Sequence, residues 1–144
     1  MHAARCARVL AFVQGGFFFI SGAWPLVHLR SFLFVTGPKT DTWLVQTVGA
    51  LLAVFGIALL LVSRRPKIEW EWRFLWVAVP LVLATVDVIF VVREIIPPIY
   101  LADAAVELLF ALAWMGCSIV LRRFRHPLTN SQGMSGGVPP APTA

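Results

Sequence analysis

The chain of 144 residues is 59% hydrophobic and only 13% charged, whereas soluble domains average about 45–50% apolar and about 25% charged residues. A soluble fold would leave too much apolar surface in water, so the composition excludes an ordinary soluble domain and favours a membrane protein. The net charge of +5 is gathered at the ends of apolar segments rather than along a soluble face, which argues against nucleic-acid binding.

Four apolar segments follow one another along the chain, and none shows the alternation of apolar and polar residues that is typical of barrel strands. Each segment has the length of a bilayer-spanning helix, which takes about 20 residues. The connections are short, so consecutive helices should pack as antiparallel neighbours. The predicted fold class is therefore all-α, a transmembrane four-helix up-down-up-down bundle. The predicted helices cover about residues 9–27, 43–62, 74–92 and 100–121.

The predicted membrane domain occupies residues 1–126 and is followed by a tail of different composition. Residues 127–144 are rich in Gly and Pro and have no apolar periodicity, so we expect them to be disordered. Within the domain, residues 28–42 carry the turn signal Gly37-Pro38 and are predicted to be a connecting loop.

Lys and Arg lie mostly at one end of the predicted helices. Nine of them flank the N-terminus, the loop between the second and third helices and the end of the fourth helix, whereas three lie on the other side. The positive-inside rule therefore places both termini in the cytoplasm. We expect a multi-pass protein of the inner (plasma) membrane. An inner aromatic belt is expected from Trp70, Trp72 and Trp76.

The N-terminal segment allows a second interpretation. Basic residues, an apolar stretch and Ser21-Gly22-Ala23 also resemble a signal peptide that is cleaved after Ala23. The stretch is interrupted by Gln14-Gly15-Gly16 and continues to Val27, which favours a first helix that is retained.

Three carboxylates lie inside the predicted spans. Asp87 belongs to the third span, and Asp103 and Glu107 lie four residues apart on one face of the fourth. A charge at membrane depth costs several kcal/mol by most estimates, so these side chains must face protein, water or a partner rather than lipid. They are the best functional clue in the chain.

Helix direction and depth place these acids together near the outer surface. We expect one polar pocket in the outer half of the bundle, with the acids not all ionised: at least one is protonated, or is neutralised by Arg93, His28 or a bound cation. The residues expected to bind a ligand or carry protons are Asp87, Asp103, Glu107, His28 and Gln46, with Arg93 and Tyr100 at the rim.

Other features favour structural roles. Gly49, Ala53 and Gly56 form a stripe of small residues that predicts close helix packing, and Trp114 is expected to fill the core. Cys6 and Cys117 have neither a CxxC partner nor metal-ligand spacing with a histidine, so no disulfide, metal site or cofactor is expected.

Two segments carry a family resemblance. The sequence from Val35 to Val45, followed by Thr47-Val48-Gly49, and the sequence from Ile99 to Ala104 with Glu107 resemble small uncharacterised bacterial integral membrane proteins. This resemblance implies four spans and no particular activity. In topology and acid placement the chain is also similar to the EXPERA group, which includes sterol isomerases and sterol-binding proteins. No catalytic residue is carried over from that group.

These features predict an integral membrane protein with an acidic intramembrane pocket. The pocket would bind or transport a small cationic or amphipathic ligand, or transfer protons, and four helices are few enough to suggest a homo-oligomer. One alternative is a membrane enzyme that uses paired acids for isomerase-like chemistry on a lipid-soluble substrate. Another is a structural or accessory subunit whose acids pair with a helix of another protein.

Overall fold

The computed structural model describes residues 2–65 and 68–123, and these residues form five helices and no strand. The helices are α1 (His2–Val27), α2 (Leu29–Thr36), α3 (Thr42–Ser63), α4 (Trp70–Val92) and α5 (Tyr100–Arg123). The prediction of an all-helical chain with four long apolar helices is confirmed, because α1, α3, α4 and α5 are each long and apolar enough to cross a bilayer. The predicted tail at residues 127–144 lies outside the described residues.

The long helices extend beyond the apolar segments that predicted them. α1 begins at His2 and α4 at Trp70, seven and four residues before the predicted starts. Charged residues end an apolar segment but do not end a helix, because their side chains still allow backbone hydrogen bonding. In α4, Glu71 lies in the first turn, where a carboxylate interacts favourably with the positive end of the helix dipole.

The short helix α2 lies in the segment that was predicted to be a loop. The ring nitrogen Nδ1 of His28 accepts a hydrogen bond from the Ser31 backbone N–H at 3.2 Å and so caps the first turn of α2. Gly37 ends the helix with a φ of 85°, a conformation that glycine adopts readily. The Trp24 indole N–H donates to the Ser31 hydroxyl at 2.8 Å and its ring packs edge-on against Phe32, which holds α2 against the end of α1.

α1 and α3 pack backbone to backbone along a seam of glycines. A Cβ atom on Gly22 would lie 2.5 Å from backbone atoms of Gly49 and Ala53, and one on Gly15 would lie 2.9 Å from the Gly56 carbonyl oxygen. Only residues without a side chain allow such an approach, so the predicted packing role of the small-residue stripe is confirmed. Later residues of α1 contact earlier residues of α3, which means that the two helices run in opposite directions.

Aromatic and polar side chains join α1 to α4 and α5. The Trp76 and Trp114 rings lie 5.1 Å apart between α4 and α5, and both are buried. Between them and α1, the Trp114 indole N–H donates to Gln14 Oε1 at 2.6 Å, and Gln14 Nε2 donates to the Trp76 carbonyl oxygen at 3.3 Å. The rings of Phe17 on α1 and Phe110 on α5 also pack together, with their centroids 5.6 Å apart.

One member of the aromatic belt expected at the start of the third span, Trp76, belongs to this core instead. Trp76 is only 2% exposed, because α4 turns this ring inward onto Trp114, so it does not sit at the membrane surface. Trp114 has the core-filling role that the sequence predicted. The outer surface is made of large apolar side chains instead, such as Ile20, Val27 and Phe34, as expected of helices in contact with lipid.

Candidate functional site

A cavity of about 410 Å³ opens at one end of the helix assembly. This is the end at which α1 and α4 finish and α3 and α5 begin, and all five helices contribute to its wall. Helix α2 contributes Phe32 and Thr36, so the contacts that hold α2 against Trp24 also fix this side of the wall. The site is therefore built from the whole fold rather than from one segment.

The cavity wall is largely apolar and carries two carboxyl groups, those of Asp87 and Asp103. The hydroxyl groups of Ser21 and Thr36 also line it, but each donates a hydrogen bond to a carbonyl of its own helix, at 2.7 and 2.9 Å. The carboxyl groups are thus the strongest polar features of the wall. The apolar part is formed by Trp24, Pro25, Phe32, Leu44, Val48, Leu52, Leu83 and Ile99.

The three intramembrane acids lie together, as their helix faces predicted. The side chains of Asp87 and Asp103 are in hydrogen-bonding contact, and Glu107 is close enough to interact electrostatically with both. Glu107 is 1% exposed and lies behind the wall, one helical turn deeper on α5 than Asp103. Asp87 and Asp103 therefore meet the cavity, and Glu107 backs them.

This acidic cluster lacks compensating donors among the described residues. Oδ2 of Asp87 and Oε2 of Glu107 are buried and accept no hydrogen bond from any of them. Three ionised carboxylates in such a place would repel one another and would each pay a large desolvation cost. The cluster must therefore hold protons, a bound cation or both. Within the described part of the chain, no group of three or more His, Cys, Asp or Glu side chains has an arrangement that could hold a metal ion.

Besides Glu107, which lies behind the wall, three further residues that were expected at this pocket do not line it. His28 is exposed and caps α2 instead, because α1 ends at Val27 and the chain leaves the helical path there. Gln46 is exposed because Val45, Val48, Gly49 and Leu52 share the inward face of α3, and Gln46 points away from that face. Arg93 is exposed at the end of α4, beyond the last helical turn.

Tyr100 is in the wall, and a neighbour that the sequence analysis did not select lies over it. The Lys39 amino group sits 4.7 Å from the centre of the Tyr100 ring, in a cation–π contact between the α2–α3 connection and α5. The positive charge of Lys39 therefore lies beside a wall residue of the cavity, where it contacts an aromatic ring rather than a carboxylate. Its position in a Gly-Pro turn gave no sequence signal for that contact.

Gln14 is the second residue whose importance sequence reasoning missed. It is fully buried and bonded to both α4 and α5. Two signals could have identified it: a lone amide in the middle of a predicted span, and Pro80, which has no N–H to offer to the carbonyl four residues earlier. That carbonyl belongs to Trp76, which is the acceptor that Gln14 reaches.

Comparison with protein-family models, with characterised proteins and with solved structures found no match for this chain. The interpretation of the site therefore depends on its own chemistry, which is an apolar cavity with a carboxyl pair in its wall and a third, buried carboxyl group behind that pair.

Proposed function

We propose that this protein binds a small amphipathic cation in the cavity at the α2 end of the bundle. The observation that carries the proposal is the pair of Asp87 and Asp103 in an otherwise apolar wall, backed by the buried oxygen of Glu107 that accepts no hydrogen bond among the described residues. An ammonium group can approach the carboxyl pair while its hydrocarbon part fills the apolar volume. Such a ligand satisfies both halves of the wall, whereas a metal ion or a purely apolar molecule satisfies one.

Proton exchange belongs to the same proposal. A cation that enters replaces protons held by the acids, because the buried cluster does not tolerate full ionisation without a counter-ion. Glu107, being deeper than the wall, would keep or release a proton as the ligand charge arrives. Ligand binding at Asp87 and Asp103 is then coupled to proton release, which is the elementary step that cation–proton exchange requires.

The isomerase alternative is less well supported by the geometry. Proton donation and removal across a double bond need an acid and a base on two sides of the substrate. Asp87 and Asp103 contact each other instead of facing one another across a gap. Their arrangement suits one shared positive charge better than a substrate held between them.

We further propose an up-down-up-down bundle in the inner membrane with both termini in the cytoplasm and the cavity facing outward. The seam between α1 and α3 pairs Gly22 with Gly49 and Gly15 with Gly56, so these two helices are antiparallel. The contacts of Asp87 with Asp103 and of Trp76 with Trp114 pair α4 and α5 in the same antiparallel way. The distribution of nine Lys and Arg against three then orients this arrangement by the positive-inside rule.

Single cysteines in a variant without Cys6 and Cys117 test this orientation. A cysteine at Pro38, in the exposed turn beside the cavity, should react with a membrane-impermeant maleimide in intact spheroplasts. A matched cysteine at the exposed residue Arg64, at the opposite end, should react only after permeabilisation. The reverse pattern would refute the proposed orientation. The intact mass of the same preparations should equal that of a chain that retains α1. Cleavage after Ala23 would remove Gln14 and the α1 side of the glycine seam from the bundle.

The ligand proposal predicts a charge-selective thermal shift. In nanodiscs of zwitterionic lipid, dodecylamine should raise the unfolding temperature of the wild-type protein, and dodecanol and dodecanoate should raise it much less. Asp103→Asn should weaken the dodecylamine effect about tenfold in apparent affinity, equivalent to about 1.4 kcal/mol. Asp87→Asn should act in the same direction, and the double variant should abolish the selectivity for the amine over the alcohol.

Asp41→Asn is the matched control for these variants. Asp41 is an exposed acid at the start of α3, outside the cavity wall, and asparagine is an equally good residue at that position. It should therefore respond to dodecylamine as the wild type does. Equal shifts with amine and alcohol in the wild type, or an Asp103→Asn response like that of Asp41→Asn, would contradict cation binding at the carboxyl pair.

A further inference from the structure

The only two cysteines of the chain meet at the end of the bundle opposite the cavity. The thiol groups of Cys6 on α1 and Cys117 on α5 are in hydrogen-bonding contact. We expected no disulfide between them because the sequence shows no cysteine motif. In the folded chain, however, these two residues from opposite ends of the sequence lie side by side.

Close packing of small residues produces this contact. Ala7 and Ala11 of α1 belong to the same buried cluster as Cys117 and Trp114 of α5, with Ala11 fully buried. One turn before Cys117, Ala113 lines a shallow groove together with Cys6. The proximity of the two thiols is thus supported by the backbone approach of the two helices on either side of them.

The two thiols have different access to reagents. Cys6 is exposed, whereas Cys117 is buried at 6% exposure, and the groove beside Cys6 is lined by Val9, Leu10 and Val13. The guanidinium group of Arg73 is close enough to interact electrostatically with the Cys117 sulfur, and its Nε is buried without an acceptor among the described residues. An accessible thiol with a buried second thiol beside it has the arrangement of an attacking and a resolving cysteine.

We propose that Cys6 and Cys117 are an oxidant-responsive thiol pair, which a hydroperoxide converts into an intramolecular disulfide between α1 and α5. The Cys6 thiolate attacks one oxygen of the hydroperoxide, the O–O bond breaks, and the other oxygen leaves as an alcohol or water after taking up a proton. Cys6 is thereby oxidised to a sulfenic acid. The Cys117 sulfur then attacks the Cys6 sulfur, the S–O bond breaks, and the hydroxide leaves as water with the Cys117 proton. Two thiols and one hydroperoxide give one disulfide, one alcohol or water molecule, and one further water.

The disulfide would join the two halves of the bundle. α1 is held to α3 by the glycine seam, and α5 is held to α4 by the packing of Trp76 on Trp114. A bond between α1 and α5 therefore ties one helix pair to the other. A reversible disulfide of this kind fits a cytoplasmic membrane surface, where thiols are mostly reduced and disulfides are usually transient and redox-sensing.

Thiol counting after oxidation tests the proposal with the full-length protein in nanodiscs. The reduced wild type is treated with hydrogen peroxide or with cumene hydroperoxide, denatured, and alkylated with a polyethylene-glycol maleimide. Both thiols should be lost together, at a rate that does not depend on protein concentration, and dithiothreitol should restore both. Faster loss with cumene hydroperoxide would assign the oxidant to the lipid phase, and faster loss with hydrogen peroxide would assign it to water.

Two serine variants separate the roles of the thiols. Cys117→Ser should accumulate a sulfenic acid at Cys6 that dimedone traps, because no resolving thiol remains. Cys6→Ser should keep its buried Cys117 reduced at the same dose, and size-exclusion chromatography checks that both variants are folded. A wild-type protein that forms only intermolecular dimers, or that retains an alkylatable Cys117 once Cys6 is oxidised, would overturn the proposal.

Discussion

Gly56→Ala is expected to loosen the packing of α1 on α3 and to lower the stability of the whole bundle. A Cβ atom at this position would meet the backbone N–H of Phe19 and would lie 2.7 Å from the Gly15 carbonyl oxygen. Backbone atoms cannot rotate out of the way as the end of a side chain can, so the helices must move apart along the seam. We expect a loss of about 1–3 kcal/mol, the usual cost of one extra methyl group in a tightly packed core.

Gly16→Ala is the matched control for this substitution. Gly16 lies in the middle of α1, as Gly56 does in α3, but a Cβ atom there would meet nothing within 4 Å. Alanine also has a higher helix propensity than glycine, by up to about 1 kcal/mol in soluble helices. Reversible unfolding in mixed micelles should therefore show Gly16→Ala equal to the wild type or more stable. Similar behaviour of the two variants would show that the seam is not as close as the structure has it.

The glycine seam also shows how far sequence spacing can predict this fold. Gly49, Ala53 and Gly56 recur on one helical face, and that periodicity was sufficient to predict a packing surface before its partner was known. It did not predict that the partner would be Gly15 and Gly22 of the first span. Spacing within one helix defines a face, whereas pairing between helices depends on shapes that are brought together only by folding.

The acids were predictable for a stronger reason. A carboxylate has so few acceptable surroundings at membrane depth that Asp87, Asp103 and Glu107 had to turn away from lipid, and the bundle interior is the common destination. The details of the surrounding wall depended on finer geometry. His28 was expected at the pocket, but α1 ends at Val27, so His28 does not continue the helical face of α1 that reaches the cavity.

The remaining differences between the predicted and the observed structure arise from a helix too short to recognise and from contacts between residues far apart in the sequence. The eight residues of α2 are too few to give a clear apolar pattern, and the helix depends on contacts with Trp24 that belong to the folded state. Tryptophan near the end of a span is typical of the membrane interface, so the sequence favoured that position for Trp76. The packing of α4 on α5 places it inside instead. The Cys6–Cys117 contact likewise joins the two ends of the chain and has no local signal.

The polar junction at Gln14 should be even more sensitive than the glycine seam. Gln14→Leu keeps a similar side-chain volume but leaves the Trp114 indole N–H and the Trp76 carbonyl oxygen without their partner, in a buried place that water does not reach easily. Each orphaned buried group costs about 1–3 kcal/mol. We therefore expect Gln14→Leu to destabilise the protein by about 2–6 kcal/mol from the two groups together, measured by reversible unfolding in mixed micelles.

The two hydrogen bonds can be separated by second substitutions that remove the need for each. Trp114→Phe removes the indole N–H, so it should cost less in the Gln14→Leu background than in the wild type. Pro80→Ala supplies a backbone N–H to the Trp76 carbonyl through the helix itself, so it should partly rescue Gln14→Leu. In each double-mutant cycle the two substitutions should be non-additive, by about 0.5–3 kcal/mol if they are coupled as neighbours in one network.

Additive effects in both cycles would mean that Gln14 stabilises the bundle only by filling space. Rescue by Pro80→Ala without any coupling to Trp114→Phe would assign the role of Gln14 to repair of the interrupted helix α4. Coupling in both cycles would establish Gln14 as the residue that compensates Pro80 and at the same time ties α1 to the helix pair α4 and α5. Since α4 and α5 also carry Asp87 and Asp103, this amide would then help to fix the position of the carboxyl pair relative to the α1 side of the cavity, together with the contact of Phe17 with Phe110.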